Sequence, residues 1–458
     1  MNREKIGLNP QEGESGKPEH SIQGGLMNSK QSGRRKFLRQ GGAVLAGLAV
    51  GGMRSARGQT HESGVPDELT YQRSYGIRSP YERAARENVP GQAQFLLSEL
   101  TPIQDLTGII TPSGLHFQQT RFHDYPPSID PRQHRLLIHG LVDRPLMFTL
   151  EELKRLPSVS RIHFLECHGN TSWPGGFHNG FRTPQQSHGK TSCSLWTGVL
   201  VSTLLREAGV KKEGTWVLAE SADAGKHPRC IPMEAAMDDC LVAYGQNGEA
   251  VRPEQGFPIR LIVPGVAGVN NVKYLRRFKV VDEVYMFRWS YGGHFQNREG
   301  QTVWVDYKAA PKSVITRPAG GQRLAGPGFY EITGLAWSGG GVIRKVEVST
   351  DIGRTWKEAQ LQDPVLPKAH TRFTFPWVWD GEETVLQSRC TDERGDVQPS
   401  LIEFAKIRGF PPGEPLKIQG ITTDFFKIPP IPPSQPMVNA IQPWKVSREG
   451  SVENALLA

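Results

Sequence analysis

An apolar run ends on a cysteine in His163-Phe164-Leu165-Glu166-Cys167-His168-Gly169-Asn170. The pattern delivers Cys167 from a strand to a polar Gly-Asn turn, so its sulfur should sit at a sheet edge within reach of a ligand. A thiolate there is a soft ligand for a transition metal, and it needs that metal or a nearby positive charge to shed its proton. Three chemistries fit the residue types: an inert buried thiol, a nucleophile paired with a histidine, and a metal ligand. Neighbours on a strand point to opposite faces, which weakens a Cys167–His168 catalytic pair. The remaining cysteines, Cys193, Cys230, Cys240 and Cys390, form no Cys-x-x-Cys pair with each other or with Cys167, which argues against a zinc ribbon or an iron–sulfur run. Nor is there a Cys-x-x-Cys-His motif, so the chain is expected to carry no haem of its own.

The elements around this segment are mostly strands. A chain of 458 residues exceeds one hydrophobic core, and its 50 Gly and 35 Pro favour strands and turns over helical bundles. His134–Gly140 reads as a strand ending in a turn, and Phe257–Gly265 as a strand entering a glycine-rich turn. Leu150–Leu156 and Val199–Gly209 read as short helices, the second stopped by its glycine. Further on, Arg344–Thr350 alternates apolar and polar residues before an Asp351-Ile352-Gly353 turn. Phe373, Phe375, Trp377 and Trp379 alternate again, and Val385–Cys390 is another strand. Short strands at such spacing predict a β-sandwich of immunoglobulin type. Residues 59–108 read as a polar, irregular arm, and the proline-rich residues 413–458 as a tail extended over the surface.

The formal charge of +8 is modest for this length, and no basic run is interleaved with aromatics, which argues against nucleic-acid binding. Much of the charge lies in residues 1–58, where Arg34-Arg35 precede a weakly apolar, glycine-rich stretch from Gly41 to Gly52. That stretch is far too short to span a bilayer. Followed by Ala56-Arg57-Gly58, it reads as a twin-arginine signal, and the mature protein is expected to be periplasmic with no membrane span.

Cys167-His168-Gly169-Asn170 resembles the Cys-x-Gly-Asn signature of the sulfite oxidase family of molybdopterin oxidoreductases. Further segments resemble the family in the same order. These are Arg121-Phe122-His123 before Pro127 and Ile129-Asp130-Pro131, then Ala243–Glu249, then Gly256–Gly265, then Asn271–Leu275. Ala336–Gly341 with Thr355-Trp356 resembles the family's second domain. The resemblance covers roughly residues 110–410. It implies an α+β fold: a mixed α/β molybdopterin-binding domain over 109–290, then an immunoglobulin-like dimerisation domain over 311–412. It further implies that Cys167 is the protein ligand to molybdenum and that Arg121 faces the substrate. The Tyr307 hydroxyl would reach the metal's ligand sphere. Gln119, Thr120, Arg121, Phe122, His123, Asp223, Gln255, Arg260, Asn271, Val272 and Lys273 would hold the pterin and its phosphate.

Two departures bear on specificity. Gln255 stands where animal sulfite oxidases usually have histidine, and Thr171-Ser172-Trp173 stand where arginines commonly follow the signature. With Arg252–Gly256, Lys312–Thr316 and Asn439–Val446, they resemble the family's sulfane dehydrogenase branch. That resemblance implies a cysteine-bound sulfane on a separate carrier protein as substrate, oxidised during thiosulfate oxidation. It also implies a dihaem cytochrome c subunit as electron acceptor and a homodimer within a hetero-oligomer. A dehydrogenase acting on free sulfite is the alternative.

Overall fold

The computed structural model describes residues 75–89, 98–120, 126–171, 182–226, 228–285, 294–296, 302–304, 308–407, 417–418, 421–422 and 438–455. The twin-arginine segment, Arg121, Phe122, His123 and Tyr307 lie outside the described residues. The chain divides into residues 1–78 and residues 79–458, and everything below concerns the second unit.

Two sheets build the first half of that unit. One runs in the order Glu249–Ala250, Leu241–Gln246, Thr191–Leu200 and Val159–Glu166, with Arg260–Ile262 also paired to Leu241–Gln246. The other runs Leu146–Phe148, Leu136–Gly140, Leu275–Val281, Trp216–Ser221 and Arg229–Pro232, in which Leu136–Gly140 and Leu275–Val281 are parallel. Ile138, Val199, Leu204, Leu205 and Phe278 share one buried core. Helix Val201–Ala208 buries Val201, Leu204, Leu205 and Ala208, the i, i+3, i+4, i+7 stripe of an amphipathic helix, and stops at Gly209 with φ 70°. Helix Leu150–Lys154 starts in a capping box between Thr149 and Glu152.

The strand expected over Phe257–Gly265 is shorter, Arg260–Ile262. Pro258 has no N–H to give a ladder, and Val263 N–H donates to the Asn271 side chain (2.7 Å) rather than to a strand. The arm is also less irregular than its composition implies. Ser98–Leu100 pairs with Glu87–Asn88 and Gln118–Gln119, and Leu100 and Ile103 are fully buried.

The second half is a sandwich. Lys312–Arg317, Gly328–Trp337, Thr371–Trp379 and Gln360–Gln362 form one sheet. Lys357–Glu358, Ile343–Ser349, Thr384–Asp392, Trp444–Val446 and Val452–Asn454 form the other. Val314, Trp337 and Phe373 from the first meet Val346, Cys390 and Val446 from the second in one core. The turn after Ile343–Ser349 is tied by Asp351, which accepts from the Thr355 N–H and hydroxyl. The reading of residues 413–458 as a surface tail fails at its end. Trp444 and Val446 are fully buried, and both last strands extend a sheet of the sandwich. Their few apolar residues were masked by the prolines before them.

Candidate active site: a gripped cysteine beside buried cations

Cys167 lies just past strand Val159–Glu166, where the chain turns. Its N–H donates to the Lys190 carbonyl (2.9 Å), and its carbonyl accepts from Asn170 N–H (2.9 Å). The Asn170 side chain closes the turn: its Nδ2 donates to Glu166 Oε1 (2.9 Å) and its Oδ1 accepts from Lys190 N–H (3.0 Å). Thr171 follows at φ 75°, a left-handed conformation that β-branched residues adopt only under constraint. Burial pushes the Cys167 thiol up, but the combined pull of its neighbours is stronger and holds it at about 6. Those neighbours are a hydrogen bond and charge from His168, the charge of Lys190, and the Gly169 N–H. The strand-alternation argument against a Cys167–His168 contact does not hold, because both residues lie beyond the strand. Cys193 and Cys240 are pushed up to about 12 by burial, and Cys390 is also raised. All five thiols are free. Among the described residues no three His, Cys, Asp or Glu side chains gather as a metal cage.

A cluster of cations sits beside the cysteine. Arg260, only 3% exposed, donates from Nη1 to the Gln255 carbonyl (2.8 Å) and from Nη2 to the Asn271 carbonyl (3.2 Å). Its guanidinium lies 5.0 Å from the Trp196 ring centroid, and among the described residues its Nε has no partner. Among the described residues it has no carboxylate partner, and burial pulls its pKa down to about 9. Lys273 Nζ donates to the carbonyls of Glu254 (2.6 Å) and Gln119 (3.2 Å). Burial first, then the charge of Arg260, pulls it down to about 7, against smaller opposing contributions that include Cys167. His116 is held at about 3, chiefly by burial, with the charges of Arg260, Lys273 and Arg86 adding to it and a bond to the Phe117 carbonyl opposing. The His116 Nε2 and the Tyr274 hydroxyl are buried without partners among the described residues. Among the described residues, two cations whose hydrogen bonds go to neutral carbonyls, beside orphaned polar atoms, make a site that an anion would satisfy. That chemistry fits the phosphate and polar ring of a molybdopterin.

The structure brings together Cys167, Gln119, Gln255, Arg260 and Lys273. Gln255 is buried and bonds from Nε2 to the Phe117 carbonyl (3.0 Å). Thr120 is buried next to Gln119. Asp223 sits on the turn after Trp216–Ser221, accepts from Lys226 N–H (3.0 Å), and is close enough for its charge to act on Lys273 and Tyr274. Asn271 spends its side chain on Val263 N–H, and Val272 is a core residue whose carbonyl accepts from Leu261 N–H, so both shape the site from behind. Sequence reasoning missed His116, Trp196 and Tyr274, which reach the site from separate strands and turns. The one local signal was Tyr274, next to Lys273 in a segment already singled out; its φ of 53° marks a constrained backbone.

A model of the oxidoreductase molybdopterin-binding domain matches residues 123–289, and a model of the Mo-co oxidoreductase dimerisation domain matches residues 304–410. The chain is 32% identical over 328 residues to the sulfite oxidase of Gallus gallus, covering 66% of this chain and 70% of that one. It is 30% identical over 344 residues to an NADH nitrate reductase of Volvox carteri, covering 65% of this chain but 38% of that one. The crystal structure of the sulfane dehydrogenase SoxCD from Paracoccus pantotrophus superposes with a TM-score of 0.70 at 35% identity. That match covers 88% of this chain and 95% of the other.

Proposed function

The chain belongs to the sulfite oxidase family of molybdopterin oxidoreductases, and on that premise we propose that it oxidises carrier-bound sulfane sulfur and passes the electrons to a cytochrome c. The observation that carries the choice of substrate is the reach of the likeness. It extends over 88% of this chain, at 35% identity and a TM-score of 0.70, with the sulfane dehydrogenase of Paracoccus pantotrophus. The uncharged Gln255, where animal sulfite oxidases usually have histidine, and Thr171, where arginines commonly follow the signature, support the same reading. The bound cofactor supplies oxygen-atom transfer to sulfur and two-electron redox chemistry.

The chain's own residues do the rest. Cys167 offers a thiolate already favoured near neutral pH by His168, Lys190 and the Gly169 N–H. Arg260 and Lys273 receive an anionic group through charge-assisted hydrogen bonds, and its charge balances theirs. His116 stays neutral, so it can hydrogen-bond a ring without adding charge. Arg121, outside the described residues, is assigned to the substrate, since a guanidinium pairs with a sulfur oxyanion or persulfide. The absence of a haem motif in the sequence supports a separate electron acceptor, and the twin arginine supports folded export to the periplasm.

The test is steady-state kinetics of the molybdenum-loaded enzyme with free sulfite and with a cysteine persulfide on a carrier protein. A higher kcat/KM for the persulfide is expected. A clear preference for sulfite would replace this reading with that of a sulfite dehydrogenase, which the likeness to the Gallus gallus enzyme favours.

A further inference from the structure

We propose that Lys312 and Trp337 are positioning residues for Cys167: from the sandwich domain they grip Glu166 and so hold the cysteine turn in place. The inference rests on Cys167 being the metal ligand. Glu166 is the residue before Cys167, and its carboxylate takes three donors. Lys312 Nζ (2.7 Å) and Asn170 Nδ2 (2.9 Å) reach Oε1, and Trp337 Nε1 (2.9 Å) reaches Oε2. Glu166 and Lys312 are 2% and 1% exposed, so this is a wholly desolvated ion pair. The ammonium also lies 5.8 Å from the Trp337 ring centroid.

The grip extends along the strand. Leu165 gives its carbonyl to Thr191 Oγ1 (3.2 Å), which in turn meets His370 Nε2 (3.0 Å). Phe164 donates its N–H to the Lys368 carbonyl (3.0 Å) and stacks on the His370 ring. Three consecutive residues leading to Cys167 are therefore tied, directly or through one side chain, to the second domain. A buried ion pair is a poor way to glue two domains, since well-packed apolar residues serve as well or better. What it supplies is a fixed register. Asn170 shares Glu166 Oε1 with Lys312, so the same carboxylate that reads the sandwich also closes the turn bearing the thiolate.

The experiment uses the full chain with cofactor loaded, and again without it. Two variants break the grip: Lys312→Met strands the carboxylate, and Trp337→Phe removes one donor while keeping an aromatic ring. Glu166→Gln combined with Lys312→Met removes the stranded charge. Val346→Ala, in the sandwich core away from Glu166, controls for general loss of stability. Hydrogen exchange at the 167–170 amides and the rate of cofactor release are the readouts. Lys312→Met should exchange faster at those amides and release cofactor about ten- to a hundredfold faster. Trp337→Phe should shift both readouts in the same direction by less, and the double variant should fall between wild type and Lys312→Met. Wild-type exchange and release in Trp337→Phe and in any foldable Lys312→Met would overturn the proposal, as would an equal effect from Val346→Ala. Should Lys312→Met fail to fold, Trp337→Phe decides alone. X-ray absorption of the wild-type enzyme separates the premise: molybdenum without a protein sulfur would refute Cys167 as ligand. Exchange in the cofactor-free chain would still report on the grip.

Discussion

At the scale of single residues, the contrast among the thiols is a measurable handle. With its thiol held at about 6, Cys167 is mostly thiolate at neutral pH, whereas Cys193 and Cys240 stay protonated. Iodoacetamide should label Cys167 first in cofactor-free protein, at a rate that rises through about pH 6 and then levels. A rate still climbing near pH 9, or earlier labelling of Cys230, would show that His168 and Lys190 do not act on the sulfur. Lys273 offers a second test through linkage. Its folded pKa is about 7, while an unfolded lysine titrates near 10.4. Between those values the unfolded chain holds more protons, so this residue makes the cofactor-free protein more stable as pH rises across that window. Urea midpoints at about pH 6 and about pH 9 should diverge less for Lys273→Met than for wild type; parallel behaviour would mean the lysine is not desolvated. Cys167 was legible because its motif is local, and Arg260 and Lys273 because they lie in segments resembling the family. His116 and Trp196 were not, since their place depends on pairing between strands far apart in sequence. Asn271 was legible as important but not as turned toward Val263.

At the scale of elements, periodicity carried most of the reading. Alternation in Thr371–Trp379 and Thr384–Asp392 marks strands with one buried face, and the stripe in Val201–Ala208 marks a helix. Which strand lies beside which was not legible, because partners such as Leu136–Gly140 and Leu275–Val281 are joined only through the folded core. That parallel pair carries a sharp constraint. Gly140 has φ 97°, and a Cβ there would meet the Val280 carbonyl oxygen at 2.2 Å. Gly140→Ala should cost about 2–5 kcal/mol, combining backbone strain and overpacking. Chemical denaturation of the full chain measures it, and a loss below about 1 kcal/mol would mean that the two strands part easily at this end.

At the scale of the whole molecule, the C-terminal strands decide more than their length implies. Trp444 is fully buried, donates from Nε1 to the Ile315 carbonyl (3.1 Å), and shares the core with Trp337. Trp444→Ala should cost about 3–5 kcal/mol, and removing residues 438–458 should cost more. Calorimetry would show it, and an unchanged unfolding temperature after truncation would mean that the sandwich closes without these strands. Two domains in succession were legible from the short alternating strands that begin at Arg344; the return of residues 444–454 into the second domain was not, because the proline-rich stretch from 413 reads as extended over the surface. That return also sets an order of events during synthesis. The turn bearing Cys167 is gripped by residues near 312 and 337, and the sheet supporting them is finished by residues 444–454. A ribosome has therefore translated through about residue 454 before the turn bearing Cys167 can be locked. A stop codon ahead of residue 444 should then be felt at Cys167, encoded far upstream.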